Sequence, residues 1–158
     1  MITIRPIQRS DEQMLKEMFW FCSEESLYRR YLRSYNPTDA EIAHICAITP
    51  DEGVAFVATI DHPHQAIVGL AYYMHDGEAT AEPAVLVEDN YQAQGIGKRL
   101  LGSLFEEARQ RKLDAFNTYV LAENRPMMHM IRKSGLHYDC EQEYGTFHLR
   151  IWLDRQAA

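Results

Sequence analysis

The sequence has few of the features that staple, anchor or metallate a small protein. Its three cysteines, Cys22, Cys46 and Cys140, are widely spaced among 158 residues and form no Cys-x-x-Cys pair. This argues against a disulfide framework or a zinc site, and each thiol is expected to pack as a small hydrophobe. The histidines are scattered too. Only His62 and His64 stand close, in "DHPHQ", where Pro63 and polar flanks predict an exposed turn, so no metal is expected. Basic charge is scarce: 16 Lys and Arg face 23 Asp and Glu, a formal net charge of -7. That balance does not suit nucleic acid as the main partner. No apolar run approaches the roughly 20 residues of a membrane helix, and the start "MITIRPIQRSDEQ" has no signal-peptide stretch. The expectation is a cytoplasmic protein with no membrane partner.

What remains is an ordinary globular composition, 46% hydrophobic and 25% charged, which excludes a disordered or collagenous chain. The length suits one domain, residues 1–158, around a single core. "ITIRPI" alternates like a strand. "SDEQMLKEMFWFC" reads as a helix with Ser10 as N-cap, and "SEESLYRRYLRSY" as a second with Leu27, Tyr31 and Tyr35 on one face. "NPTDAEIAHICAI" is a third short helix opened by an Asn-Pro turn. "GVAFVATI", "QAIVGLAYYM" and "TAEPAVLV" then predict three successive strands. A long helix, a strand "LDAFNTYVL", a helix "NRPMMHMIRKSGL" ended by Gly135, and two strands meeting across Gly145 complete the chain. The order β, helices, βββ, α, β, α, ββ predicts a mixed α/β sheet flanked by helices.

The stretch "VLVEDNYQAQGIGKRLLGSLFEEARQR" passes from an apolar strand through a glycine-bearing turn into that long helix. Ile96, Leu100, Leu101, Leu104, Phe105 and Ala108 recur at helical spacing and would seat it on the sheet. Gly95 and Gly97 remove bulk where unpaired N–H groups begin the helix, and the helix dipole adds partial positive charge, so the turn suits a phosphate. It is neither of two better-known phosphate loops. A G-x-G-x-x-G fingerprint needs glycine where Leu100 stands, and a P-loop needs four residues between its glycines.

Gln92-Ala93-Gln94-Gly95-Ile96-Gly97 resembles the acetyl-coenzyme A turn of the GCN5-related N-acetyltransferase (GNAT) family. "AENRPMMHMIRKSGL", one strand later, is similar to that family's Asn-led helix, with Asn124, Gly135 and Leu136 at matching places. The strand order fits the family's fold over nearly the whole chain: a mostly antiparallel mixed sheet of about seven strands, flanked by helices, of the α/β (α+β) class. The resemblance implies acetyl-CoA as donor and no metal. By analogy, the backbone of Val85, Leu86 and Val87 would pair with the pantetheine arm. The turn from Gln92, with the amides of Ala93, Gln94, Gly95, Ile96, Gly97 and Lys98, would take the pyrophosphate. Lys98 would sit near the phosphates or in solvent, and Asn124 near the coenzyme arm or as a helix cap.

Transfer to a lysine amine, with an intrinsic pKa of about 10.4, needs a base or a desolvating site. Glu82 is the candidate, three to five residues before the donor-binding positions, or about 10–17 Å up the strand at roughly 3.3 Å per residue. Its sequence neighbours in "AEPAVLV" are apolar, and a carboxylate held among apolar groups becomes a better base. An exposed edge-strand glutamate beside Pro83 is the other reading. In this family a glutamate here often serves as base, and a backbone N–H around Val87 would stabilise the oxyanion. The tyrosine that many members use to protonate the leaving thiolate is replaced by Ile131, leaving Tyr119, Tyr138 or solvent.

More narrowly, the chain looks like the catalytic domain of bacterial protein lysine acetyltransferases of the Pat type, which modify proteins such as acetyl-CoA synthetase. Often fused there to a cyclic-nucleotide-binding or acyl-CoA-ligase-like module, the domain is expected to stand alone in these 158 residues, as a monomer or homodimer. A protein lysine is the implied acceptor. A small amine, or a silent acetyl-CoA sensor, is the alternative. Arg29, Arg30 and Arg33 would meet an acidic partner, the coenzyme 3'-phosphate, or solvent.

Overall fold

The computed structural model describes residues 1–32 and 36–156. Arg33 and Tyr35 lie outside them. The strands are β1 (Thr3–Pro6), β2 (Gly53–Ile60), β3 (Ala66–His75), β4 (Thr80–Val87), β5 (Ala115–Leu121), β6 (Leu136–Glu143) and β7 (Thr146–Gln156). The helices are α1 (Glu12–Phe21), α2 (Glu24–Tyr31), α3 (Asp39–Cys46), α4 (Ile96–Gln110) and α5 (Arg125–Lys133). All seven strands join one sheet in the order β1-β2-β3-β4-β5-β7-β6. Every neighbouring pair is antiparallel except β4 and β5.

Strand alternation divides the core between the two sheet faces. On one face Val57, Leu70, Ala84 and Leu86 pack beneath Leu15, Met18, Leu27, Ile42 and Ile45 from α1, α2 and α3. On the other, Ala58, Ala71, Phe116, Leu149 and Ile151 pack beneath α4 and α5. All six α4 residues predicted to face the sheet are buried. The helix lies so close to β3 that a Cβ on Gly69 would come within 2.8 Å of Leu100 Cδ1.

Ser23 and Thr38 cap α2 and α3 by accepting the N–H groups of Ser26 and Glu41, both at 3.1 Å. Thr38 therefore starts α3 later than the Asn-Pro signal suggests. Gly135, at φ +73°, follows the last turn of α5 as predicted. Ser10 is not the N-cap of α1. It lies inside a 3-10 turn, Arg9–Asp11, because the neighbouring Asp11 carboxylate is drawn back toward β1. Asp11 accepts two hydrogen bonds from the Arg5 guanidinium and one from Gln8 N–H, all at 2.8 Å, and is 1% exposed.

Cys22 and Cys46 pack in the core as expected, and burial pushes their thiols up to about 12 and about 11. Cys140 does not: it is exposed, because β6 is the sheet edge and bares every residue from Asp139 to Glu143.

The Arg5 hydrogen bonds, against an opposing cost of burial, hold the Asp11 carboxyl below its usual range. Removing one partner of a buried pair costs about 3 kcal/mol, so Asp11→Ala should lower urea stability by that much at pH 7. Since the folded-state pKa is depressed, the contribution is complete above the unfolded value of about 4 and disappears as pH falls through the folded one. The two proteins' unfolding midpoints should therefore converge in acid. A second expectation concerns Tyr73, whose hydroxyl is buried without a hydrogen-bond partner among the described residues. Tyr73→Phe removes that unsatisfied group and should leave stability unchanged or raise it by about 1 kcal/mol, read in the same unfolding experiment.

Candidate active site

The site begins where the sheet comes apart. β4 and β5 pair only through Thr80 with Ala115 and Ala81 with Phe116, then separate. Glu88 N–H donates to Val68 O at 2.9 Å, which sets the alternation on β4. Glu82, Ala84 and Leu86 turn their backbone groups to β3, while Pro83, Val85 and Val87 turn theirs into the opening. Pro83 has no N–H to offer there. Leu86 is thus bonded away from the opening, so only Val85 and Val87 of the three predicted backbone positions present polar groups to it.

Beyond β4 a polar loop is held by its own side chains. Buried Glu88 accepts Asn90 N–H and Nδ2 at 3.2 and 3.1 Å. Asp89 accepts Ser23 N–H at 2.9 Å, tying the loop to the start of α2. Burial opposes ionisation of Asp89, yet this bond and those from the Ser23 and Ser26 side chains hold its carboxyl below the usual range. Gln92 Nε2 donates to both Val87 O at 2.9 Å and Ser26 Oγ at 3.0 Å. Ala93 and Gly95 are left-handed, at φ +60° and +84°, a geometry that gathers successive N–H groups into an anion-binding concavity. α4 starts there without a side-chain cap, so its first N–H groups have no intrahelical partner. The two glycines differ in their reasons. A Cβ on Gly95 would meet nothing within 4 Å, so its φ is what calls for glycine. On Gly97 it would press Met130 Sδ at 3.3 Å, so α4 and α5 touch there.

A groove of about 570 Å³ follows the opening from Glu82 to this turn. Glu82, Val85, Leu86, Val87, Gln92, Ala93, Gly95, Gly97, Lys98 and Asn124 line it. Gln94 and Ile96 do not: Gln94 donates to Asn90 O at 3.4 Å, and Ile96, the first residue of α4, is buried in the core. Asn124 Oδ1 accepts Met127 N–H at 3.3 Å, so it caps α5 while facing the groove. Glu82 is exposed. Its apolar neighbours Ala81 and Pro83 point to the opposite sheet face, so they do not enclose the carboxylate as the linear sequence suggested.

A second cavity lies on the α3 side of Glu82, between α2, α3, β3 and β4. Tyr72, Met74, Glu41, His44 and Ile45 line it, and Arg30, Tyr31 and Glu82 border both spaces. Ile131 is 1% exposed in the core, and Tyr138 packs against the core away from the groove. Tyr119 lines the groove, stacked 4.4 Å from His148. Sequence reasoning missed Ser26, His129 and Met130, which also line it. The Ser26–Gln92 bond joins residues 66 apart, and no local pattern announces it. His129 stands two positions before Ile131 on α5, where it was legible only as a helix-surface residue. Among the described residues no group of His, Cys, Asp and Glu is placed to hold a metal, and no helix is long and apolar enough to cross a membrane.

The chain belongs to the acetyltransferase (GNAT) family, whose model matches residues 13–136. It is 31% identical over 134 residues to the acetyltransferase Pat of Mycolicibacterium smegmatis, covering 84% of this chain and 40% of that one. The chain thus spans less than half the length of that curated relative. The GNAT domain of S. lividans PAT superposes with a TM-score of 0.82 at 25% identity, covering 93% of this chain and 88% of that one. A phosphinothricin acetyltransferase from Sinorhizobium meliloti, solved in complex with acetyl-CoA, shares the fold with a TM-score of 0.76 at 17% identity, over 99% and 91% of the two chains.

Gly95→Ala should fold with no clash yet cost roughly 1–2 kcal/mol for a left-handed alanine. Thermal or urea unfolding checks this, and an unchanged midpoint would mean that the turn does not depend on its positive φ.

Proposed function

We propose that the protein transfers the acetyl group of acetyl-CoA to an amine, preferentially a protein lysine side chain, with Glu82 as general base. The observation that carries this reading is the single path from the left-handed turn, along the open edge of β4, to a carboxylate bordering a second cavity.

The residues present suit the donor. The concavity at Ala93 to Lys98 fits a pyrophosphate, with Lys98 beside it as a cation. The unpaired groups of Val85 and Val87 fit the amides of an extended arm, which would add to β4 as a strand adds to an edge. Val87 O is already engaged by Gln92, so at Val87 the N–H is what remains to bond the arm or the reacting carbonyl oxygen. Met127 and Met130 supply an apolar, adaptable wall. The coenzyme, when bound, supplies an acetyl group activated as a thioester.

Glu82 then works on the other partner. An acceptor entering through the second cavity arrives at Glu82, which takes a proton from the nitrogen directly or through a water, and the neutral amine attacks. Glu82's exposure leaves room for such a water. Ile131 has no proton to give, so the departing sulfur takes one from the attacking nitrogen, directly or through a water. The protein-lysine preference leans on the likeness to Pat-named acetyltransferases; the rim of the second cavity sets two carboxylates, Glu41 and Glu82, against the single fixed cation Arg30. A cytoplasmic setting, where acetyl-CoA and protein lysines meet, goes with it.

Steady-state transfer from acetyl-CoA to a lysine-bearing protein substrate, compared with free polyamines and amino acids, tests the reading. Protein acetylation should exceed small-amine acetylation. Glu82→Gln should lower kcat by about 10²-fold while acetyl-CoA affinity, measured calorimetrically, is retained. Gly97→Asp, which adds bulk against Met130 and negative charge at the turn, should abolish that affinity in a folded protein. An undiminished rate in Glu82→Gln would remove Glu82 from its role.

A further inference from the structure

Arg30 occupies an unusual place for a cation. It closes the last turn of α2 and borders both the groove and the second cavity, as Glu82 does. Its guanidinium donates through Nη2 to Tyr72 OH at 2.6 Å and lies over two rings, 4.7 Å from the centroid of Tyr31 and 5.2 Å from that of Tyr72. Among the described residues its Nε, like that of Arg29, is buried without a hydrogen-bond partner. Among the described residues no carboxylate pairs with it. The neighbouring Arg29, in contrast, is paired with Glu25 at 3.0 Å. Arg30 is thus fixed by a neutral hydroxyl and two aromatic faces, an arrangement that fixes the charge without cancelling it.

We propose that Arg30 is the electrostatic group that neutralises the acceptor: a pinned like charge that shifts the incoming ammonium toward the free amine. The proposal rests on the amine-transfer reading above and adds to it how a lysine nitrogen loses its proton near neutral pH. A like charge nearby disfavours the protonated form, and arginine retains its own charge throughout the working range. The titratable and charged groups facing Arg30 are Arg29 and Tyr31 on α2, Glu41 and His44 on α3, Tyr72 on β3 and Glu82 on β4, with Lys98 and His129 across the groove. Burial, foremost, pushes the Tyr31 phenol above its ordinary range, so that ring stays neutral. Arg30 repels the ammonium and Glu82 receives its proton. The neutral nitrogen forms the C–N bond as the C–S bond breaks. Its second proton passes, directly or through a water, to the departing thiolate, and Glu82 then releases the first proton to solvent. An acceptor that presented a carboxylate would meet Glu41 and Glu82 at the same rim, which disfavours the alternative of Arg30 as an anion clamp.

The test is the pH dependence of kcat at saturating acceptor, which reports protonation within the bound complex. Two probes are compared: a lysine peptide, and hydroxylamine, which is already neutral in the range used. Arg30→Gln should move the acidic limb for the lysine peptide upward by about one pH unit, leave the limb for hydroxylamine in place, and be rescued by Arg30→Lys. Tyr72→Phe, which keeps the charge but frees Nη2, should move the lysine limb in the same direction by less, and serves if Arg30→Gln does not fold. Limbs that stay in place with both probes overturn the proposal, and limbs that move with both assign Arg30 to Glu82 instead and overturn it too. Wild-type protein that acetylates hydroxylamine but no lysine peptide overturns the lysine reading and this inference together. A lysine-active wild type with an unmoved limb overturns this inference alone.

Discussion

The separation of β4 from β5 after two paired residues is the constraint on which the rest depends. Parallel neighbours in one sheet normally continue side by side, because an unpaired backbone group in the interior is costly. Here the odd-numbered residues of β4 face the gap, and the first of them beyond the paired stretch is Pro83, which has no N–H to leave unsatisfied. The gap therefore costs little at its origin. It widens toward Val85 and Val87, where polar backbone groups are presented to a groove instead of to a strand. A fully zipped sheet would have the same core and no place for an extended ligand.

Around that gap the chain uses two kinds of order. The apolar faces of α1 to α5 clamp the sheet on both sides and fix strand positions. The loop after β4 is held by polar contacts instead: the Glu88 carboxylate over Asn90, Asp89 on the start of α2, and Gln92 across Val87 and Ser26. Such bonds position without filling space, and the concave side of the turn remains open.

Much of this was legible in the sequence, because it is written in local patterns. The alternation of "TAEPAVLV", the 3.6-residue spacing of the α4 apolar positions and the glycines of the turn each reflect one element's own geometry; a mixed sheet flanked by helices followed from their order, and its mostly antiparallel seven strands from the family resemblance. Asn124 was legible as a cap from its place before Arg-Pro, and as a groove residue only through the family resemblance; it is both. What failed had non-local causes. Ser10 lost the cap position because Asp11 is captured by Arg5 on β1, and Cys140 is bare because β6 is an edge, which only strand pairing reveals. Leu86 lines the groove, but its backbone N–H and C=O turn to β3 through a register that no window of residues contains. Glu82 looked enclosed in one dimension, yet strand alternation turns its apolar neighbours to the other face. Arg30 read as one of several surface cations until Tyr72, 42 residues away, was found holding it.

Gln92 has a consequence that reaches past the turn it closes. One amide bridges the strand that edges the donor groove and the helix that carries Arg30 and Tyr31. The groove and the second cavity are therefore tied together at that point through one side chain. Were a ligand at the turn to tighten α2 through Ser26, linkage would require a ligand in the second cavity to return the same factor to the first.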